Sequence, residues 1–134
     1  KYKMKQLLIT ITAVVLVGCA TTQQPEPPIA KAPDISINQA IFDGNIEVTK
    51  QHLTGGVDVN AIDAGGWTPL HWAASKGCEK TIKLLLANGA NINTTAATGR
   101  TPLDYTLLTN KTETTDLLRK HGARTAEELI AEEK

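Results

Sequence analysis

The 134-residue sequence has no excess of basic residues, because 14 aspartates and glutamates balance its 14 lysines and arginines. The basic residues also form no stripe along the chain. Nucleic acid and anionic lipid headgroups are bound mainly by clusters of lysine and arginine. We therefore expect neither a nucleic-acid partner nor direct binding to lipid headgroups.

The sequence also has no motif that indicates an enzyme. It contains no metal-ligand spacing, no glycine-rich phosphate loop and no nucleophile motif. His71, Cys78 and Asp104 are the residues closest to a catalytic set. His71 and Cys78 would lie about 10 Å apart along one helix, too far for proton transfer. We therefore predict no enzymatic activity, no cofactor and no metal.

No apolar run is long enough to cross a bilayer as a stable helix. The apolar run "LLITITAVVLV" covers Leu7–Val17 and follows Lys3 and Lys5. A short apolar run after positive charges is typical of a secretory signal peptide. We assign residues 1–18 to such a signal.

An internal repeat is the main feature that the sequence does contain. Thr68-Pro69-Leu70 returns as Thr101-Pro102-Leu103, and Gly44 returns as Gly77, both at an offset of 33 residues. Self-similarity at such a period indicates stacked repeats. We divide the region into three units, at residues 34–61, 62–94 and 95–124.

Each unit carries the start and stop signals of helices. Thr68 followed by Pro69 is a hydroxyl N-cap followed by the residue that loses least at the first helical position. Gly77 and Gly89 can end two successive helices in the left-handed conformation that glycine adopts freely. Asn110 replaces this glycine in the third unit, and asparagine tolerates positive φ better than most residues.

The two ends of the repeat region have their own helix signals. Ser36 with Gln39 three residues later forms the sequence pattern of a capping box, which predicts a helix start in the first unit. Thr125 with Glu128 forms the same pattern after the third unit. We expect a short acidic helix or tail over residues 125–134.

The stretch "DAGGWTPLHWAASKGCEKTIKLLLANGANIN", Asp63–Asn93, resembles the ankyrin repeat over its whole length. The resemblance covers about residues 34–124 and implies an all-α fold. It implies an ankyrin-repeat solenoid of about three helix-turn-helix units with short β-turn connections. In the family, the histidine at the position of His71 ties its own turn to the neighbouring turn by hydrogen bonds. We also expect the side chains of His71 and Asp104, one repeat apart, to meet across the unit interface.

The resemblance separates scaffold positions from positions that are free to bind another protein. The scaffold positions are Thr68, Pro69, Leu70, His71, Gly77, Gly89, Thr101, Pro102, Leu103 and Asp104. The free positions lie on turn tips and on the exposed side of the first helices, which together form a concave surface. They are Phe42, Asp43, Ala64, Gly65, Trp67, Ser75, Lys76, Ala97, Thr98, Arg100, Leu108 and Thr109.

Three of the free positions carry the side chains expected to anchor a partner. Aromatic residues and arginine dominate interface energetics, which favours Phe42, Trp67 and Arg100. Packing of Trp67 against the neighbouring turn is the alternative for that residue. We place Trp72 in the core.

The end of the signal peptide, Leu16-Val17-Gly18-Cys19, resembles a bacterial lipobox. The resemblance implies that Cys19 receives diacylglycerol and becomes the first mature residue. A hydrophobic signal that ends in cysteine by chance is the alternative. Ala20 stands where an aspartate often marks retention at the inner membrane, which favours the outer membrane. Residues 19–33 would form a proline-rich, disordered tether behind the lipid.

The resulting functional hypothesis is a lipid-anchored ankyrin repeat protein of the bacterial cell envelope, on the outer membrane and facing the periplasm. It would be a monomer that binds another protein, with the membrane contacted through the lipid alone. The alternative is an inhibitor, immunity protein or maturation factor for one envelope enzyme. A third hypothesis is a structural lipoprotein whose repeat faces associate with each other.

Overall fold

The computed structural model describes residues 35–134, and within them it contains helices and no strand. The predicted signal peptide, Cys19 and the tether lie outside the described residues. None of the described helices is long and apolar enough to span a membrane. The helices are α1 (Ile37–Phe42), α2 (Ile46–Thr54), α3 (Pro69–Lys76), α4 (Glu79–Ala87), α5 (Pro102–Leu108), α6 (Thr112–Lys120) and α7 (Ala126–Glu132).

The helices are arranged as three consecutive helix-turn-helix units. Each first helix packs against its own second helix, α1 with α2, α3 with α4, and α5 with α6. The first helices also pack against each other from unit to unit, and so do the second helices. The prediction of an all-α solenoid of three such units is therefore confirmed.

The helices begin and end where the local signals place them. Thr68 and Thr101 are extended N-caps with φ of −85°, and a proline follows each of them. Gly77 ends α3 with φ of 75°, and Asn110 adopts the same left-handed conformation after α5 with φ of 52°. Asparagine can therefore end a helix at the position where the preceding unit has glycine.

The capping box predicted for α1 forms only in part. The Ser36 hydroxyl accepts a hydrogen bond from the Gln39 backbone N–H at 3.2 Å. The Gln39 side chain does not complete the box; its amide donates to Asp43 Oδ1 at 2.9 Å. The aspartate lies one helical turn ahead on the same face, and its bond to the Gln39 NH2 group draws the side chain forward, so that Gln39 Oε1 does not accept from the Ser36 N–H.

The core runs through all three units as one cluster of apolar side chains. A unit of two short helices cannot cover both of its faces, so burial comes from the neighbouring units. Ile41 in α1, Leu85 in α4 and Leu118 in α6 are each 0% exposed. The middle unit is covered on both sides and contributes the largest part of the cluster: Leu70, Ala73, Ala74, Ile82 and Leu85.

Two asparagines join each unit to the next through a repeated hydrogen-bond pair. Asn60 donates from Nδ2 to the Gly89 carbonyl at 3.1 Å and accepts from the Asn91 backbone N–H at 2.7 Å. Asn93, one period later, makes the same pair with Gly122 and Arg124, at 3.3 and 2.8 Å. Each amide side chain thus satisfies one carbonyl and one N–H of the next unit's loop.

The C-terminal helix α7 is joined to the third unit mainly by polar contacts. Its N-cap Thr125 and Glu128 form the reciprocal capping box that their spacing predicts. Arg119 NH1 contacts both Glu128 carboxylate oxygens at 2.8 Å, and Arg124 pairs with Glu132. No residue of α7 is buried. The helix therefore lies at the end of the solenoid without extending its core.

Candidate functional site

Four aromatic side chains form a continuous row across the three units, and we call them the aromatic row: Phe42, Trp72, Trp67 and Tyr105. The ring centroids of Phe42 and Trp72 are 6.0 Å apart, with the rings almost perpendicular at 84°. Trp72 and Trp67 follow at 4.8 Å, and Trp67 and Tyr105 at 4.3 Å. The chain has five aromatic residues, so four of them are concentrated on this one surface.

The row is positioned by the first helix of each unit and by the turn before α3. Phe42 is the last residue of α1, Trp72 lies in α3 and Tyr105 lies in α5. Trp67 precedes the N-cap of α3 and reaches forward to the third unit. Because the first helices stack side by side, one ring from each of them falls on the same surface.

Hydrogen bonds and one cation hold the rings in place. Trp72 donates from Nε1 to Asp63 Oδ2 at 2.8 Å, and the Tyr105 hydroxyl is 2.8 Å from Thr98 Oγ1. At the other end, Lys76 Nζ lies 3.9 Å from the centroid of the Phe42 ring. A cation over an aromatic face is attracted by the ring quadrupole. The row is therefore fixed on the scaffold before any partner arrives.

Asp63 organises the turn beneath the row. Its Oδ1 accepts backbone N–H bonds from Gly65 and Trp67, both at 2.9 Å, while Oδ2 is used by Trp72. Burial raises the pKa of Asp63, but the hydrogen bonds from Trp67, Trp72 and Gly65 outweigh that effect and lower the pKa below its ordinary value. The carboxylate is thus ionised and is committed to its own turn.

His71 is fully buried and links the second unit to the third. The Thr68 backbone N–H donates to His71 Nδ1 at 3.1 Å, so the ring proton lies on Nε2, which donates to the Arg100 carbonyl at 3.1 Å. The side chain is 0% exposed. Burial lowers the pKa of His71, and this outweighs the opposing effect of the Arg100 carbonyl. The geometry is that of a neutral imidazole with both nitrogens occupied.

The expected contact between His71 and Asp104 is wrong. Asp104 Oδ2 instead accepts from the Thr101 N–H at 2.9 Å and from the Ala126 N–H at 3.0 Å. His71 and Asp104 therefore each contact the turn that follows their own unit. Equivalent side chains in stacked repeats point in the same direction, so the two do not point towards each other. The Asp104 carboxylate cannot donate a hydrogen bond as His71 Nε2 does. In the third unit, Thr101 Oγ1 donates instead, to the Arg124 carbonyl at 2.8 Å.

The positions predicted to bind a partner are mostly exposed. Trp67 and Ser75 are half-buried, and the other ten are exposed. Phe42 is 47% exposed. The packing of Trp67 on Tyr105 corresponds to the alternative considered for that residue. Trp72, expected in the core, is half-buried and packs against the core cluster from the outside. The binding role of these positions remains a prediction.

Three members of the site, Trp72, Tyr105 and Asp63, are not among the predicted binding residues. Tyr105 is 7% exposed and extends the row into the third unit. The alignment of Tyr105 with Trp72, one period earlier, was the signal that could have identified it. Asp63 carries no comparable signal, because the equivalent position in the third unit is Ala96. Its bond to Trp72 joins residues nine positions apart and depends on how the turn folds onto α3.

The neutral state of His71 predicts an acid-sensitive domain. Because its pKa is lower in the folded than in the unfolded chain, the unfolded state protonates first as the pH falls. We expect the free energy of unfolding to be greatest above about pH 6.5 and to fall below it, by at most about 1.4 kcal/mol per pH unit for one proton. Chemical denaturation between pH 7.5 and 5 measures this slope.

Substitution of His71 separates its contribution from those of other acid-sensitive groups. His71→Gln should be less stable at pH 7.5 but should lose most of the slope between pH 6.5 and 5. His121→Gln is the matched control, because His121 is exposed, and it should retain the slope. The lowered pKa of Asp63 acts separately, since its stabilisation is lost only as the pH falls below about 3.8. An unchanged slope in His71→Gln would contradict this assignment.

The described residues contain no group of three or more His, Cys, Asp or Glu side chains placed to hold a metal ion. What the surface around the row presents instead is apolar ring area with a few polar groups at its edge. Such a surface can contact another protein, because aromatic side chains are enriched in the cores of protein interfaces.

Known proteins are similar to this chain in sequence over a limited part of their length. A protein named VAPYRIN-LIKE from Medicago truncatula is 44% identical over 46 residues, which is 34% of this chain and 10% of the relative. Human protein phosphatase 1 regulatory subunit 27 is 35% identical over 51 residues, or 38% of this chain and 33% of the relative. Mouse protein phosphatase 1 regulatory subunit 12A is 40% identical over 57 residues, which is 42% of this chain and 6% of the relative. The chain thus matches a third or less of each of these relatives.

A family model described as ankyrin repeats, in three copies, matches residues 37–128. The match covers all three helix pairs and extends into α7. Ankyrin repeats mediate protein–protein interaction, and proteins built from them are typically adaptors without enzymatic activity. With the family model covering more than half of the sequence and the helices following its period, the chain belongs to the ankyrin repeat family.

Proposed function

We propose that this protein is a lipid-anchored adaptor of the bacterial cell envelope that binds another protein through the aromatic row. The observation that carries the proposal is the continuity of the row across all three units. Rings from three separate helices lie on one surface, although the core does not require Phe42 there, since that side chain is 47% exposed. A partner would cover apolar ring area that is now in contact with water.

The energetics of interfaces support this choice of surface. A few aromatic and arginine side chains usually supply most of the binding free energy. The row presents such side chains on a rigid scaffold, so little conformational entropy is lost when a partner binds. Lys76 lies over the Phe42 ring, and Arg100 stands one period after Trp67 in the sequence; both are exposed and form no ion pair with any described residue. Both cations are therefore available to a partner.

A regulatory role is the second candidate, and the relatives favour it. Two of them are named as regulatory subunits of a protein phosphatase. By analogy, this protein would bind one envelope enzyme and alter its activity, as an inhibitor, an immunity protein or a maturation factor. The adaptor and regulator hypotheses use the same surface and differ in whether the captured partner's activity changes on binding.

The photoreactive analogue benzoylphenylalanine tests the surface when it replaces Phe42 in cells. We expect irradiation to crosslink one abundant partner protein, because the substitute keeps an aromatic group at the exposed end of the row. The matched control places the same analogue at Ile130, which is 60% exposed on α7 and apart from the row. Equal capture of the same protein from both positions, or capture only from position 130, would contradict the proposal.

The lipid anchor is tested separately through Cys19. We expect Cys19→Ser to abolish labelling by a palmitate analogue and to leave unprocessed precursor, because the thiol is the proposed site of diacylglycerol attachment. Several acyl chains at about 0.8 kcal/mol per buried methylene would make the anchor effectively stable. Membrane fractionation of the wild type and of Cys19→Ser measures the effect. Unchanged labelling of Cys19→Ser would rule out lipidation at this residue.

A further inference from the structure

We propose that the segment recognised by the aromatic row is an extended, proline-rich stretch of the partner protein. The inference rests on the proposed function and adds the chemistry of the ligand. It starts from the shape of the row, which is a single file of four rings. Because Tyr105 is only 7% exposed, the accessible part of the row runs from Phe42 to Trp67, and the centroid separations of 6.0 and 4.8 Å give it a length of at most about 11 Å. A polyproline II segment rises about 3.1 Å per residue, so about four residues would cover this part of the row.

The width of the row argues against the other common peptide conformations. An amphipathic helix needs a broad apolar groove for anchors on successive turns. Here polar groups adjoin both ends of the row, with Lys76 at Phe42 and Thr98 at Tyr105. An added β-strand needs an exposed sheet edge, and the described residues contain no strand. A polyproline II segment needs neither a groove of that width nor a backbone ladder.

The angles between the rings suit proline side chains. Neighbouring rings meet at 84°, 46° and 44°, so the row has ridges and slots instead of one flat face. Proline-rich segments bind aromatic-lined surfaces in this way, and their preformed conformation reduces the entropy lost on binding.

An unused donor lies in the centre of the row. Trp72 donates its indole N–H to Asp63, whereas no described residue accepts a hydrogen bond from Trp67 Nε1. Indole N–H groups usually find a partner once they are buried. Polyproline II carbonyls have no internal hydrogen bonds and remain free to accept. A carbonyl of the bound segment would therefore satisfy Trp67 Nε1.

The cation at one end of the row indicates which residue flanks the prolines. Lys76 Nζ lies 3.9 Å above the Phe42 ring and is exposed, with no carboxylate paired to it among the described residues. A glutamate or aspartate beside the prolines would pair with this ammonium group. The proposed ligand is thus a segment of about four residues, rich in proline and acidic at the end over Phe42.

Selection from a random dodecapeptide phage library on the full chain, purified in detergent, tests the inference without knowledge of the partner. We expect the enriched peptides to contain at least two prolines and a flanking acidic residue. A synthetic copy of the most enriched peptide, labelled with fluorescein, then serves as the probe. Replacement of its prolines by alanine should weaken binding by tenfold or more. Enrichment of peptides without proline, or no enrichment at all, would overturn the inference.

Variants of the protein locate the bound peptide. Trp67→Phe keeps a ring but removes the indole N–H, and we expect about 2–10-fold weaker binding at a temperature at which both proteins are folded. Lys76→Gln should remove the preference for the acidic residue, while Ile130→Ala should bind as the wild type does. Equal affinity of Trp67→Phe and the wild type would contradict the hydrogen bond. If the selected peptide contains no proline and Phe42→Ala does not bind it, the aromatic row is still a binding surface. The proposed proline-rich ligand would then be refuted.

Discussion

Replacement of Leu85 by alanine is expected to lower the free energy of unfolding by about 2–5 kcal/mol. Leu85 lies in α4 of the middle unit, is 0% exposed and belongs to the cluster that joins all three units. The change removes buried apolar surface and leaves a cavity that short, mutually supporting helices cannot fill without losing other contacts. Thermal and urea denaturation of the full chain measure the loss.

A control on the surface makes the Leu85 result specific. Leu108 is 58% exposed at the end of α5, so Leu108→Ala should change stability by no more than about 0.5 kcal/mol. Three repeats are near the minimum for a stable solenoid, so Leu85→Ala should destabilise the whole array and not one unit. Similar small losses of unfolding free energy in both variants would show that Leu85 is not packed in the core of the middle unit.

Gly66→Ala is expected to be almost as damaging, through the backbone of the turn before α3. Gly66 has φ of +73°, and a Cβ there would lie 2.6 Å from Ala97 Cβ and 2.7 Å from the Ala97 backbone nitrogen. The left-handed conformation costs an alanine about 1–2 kcal/mol, and overpacking adds about 1–3 kcal/mol. We expect a total loss of about 2–5 kcal/mol in urea denaturation, because the second and third turns can no longer approach.

The next repeat provides the matched control for Gly66. Gly99 stands one period later with φ of +75°, but a Cβ there would meet no atom within 4 Å. Gly99→Ala should therefore lower the free energy of unfolding only by the conformational cost of about 1–2 kcal/mol. The difference between the two variants isolates the contact between successive turns. Equal losses would mean that Gly66 does not approach Ala97 as closely as the structure shows.

Much of the fold follows from signals that are local in the sequence. Thr68 with Pro69 marks a helix start, and Gly77 and Asn110 mark helix ends, because each choice is decided by backbone conformation within one turn. The offset of 33 residues then orders the units, since stacked repeats place equivalent residues side by side. These features depend on few residues at a time, which is why the sequence predicts them well.

The details of the surface depend on contacts between units and were harder to predict. The row forms because Trp67 reaches Tyr105 in the next unit, a contact that no local pattern encodes. The parallel direction of equivalent side chains explains why His71 meets the Arg100 carbonyl and not Asp104. The two hydrogen bonds of Asn60 were not predicted either, although Asn93 stands one period of 33 residues after Asn60 in the sequence.

Fluorine NMR tests the central claim, that the aromatic row is the binding surface, most directly. The chain has two tryptophans, Trp67 and Trp72, and both belong to the row. Labelling with 5-fluorotryptophan therefore gives two resonances that report on this surface alone, whatever tryptophans the unlabelled partner contains. We predict that the partner captured from position 42 shifts the Trp67 resonance saturably as it is added. Two unchanged resonances at a concentration where the complex is shown to form would contradict the account.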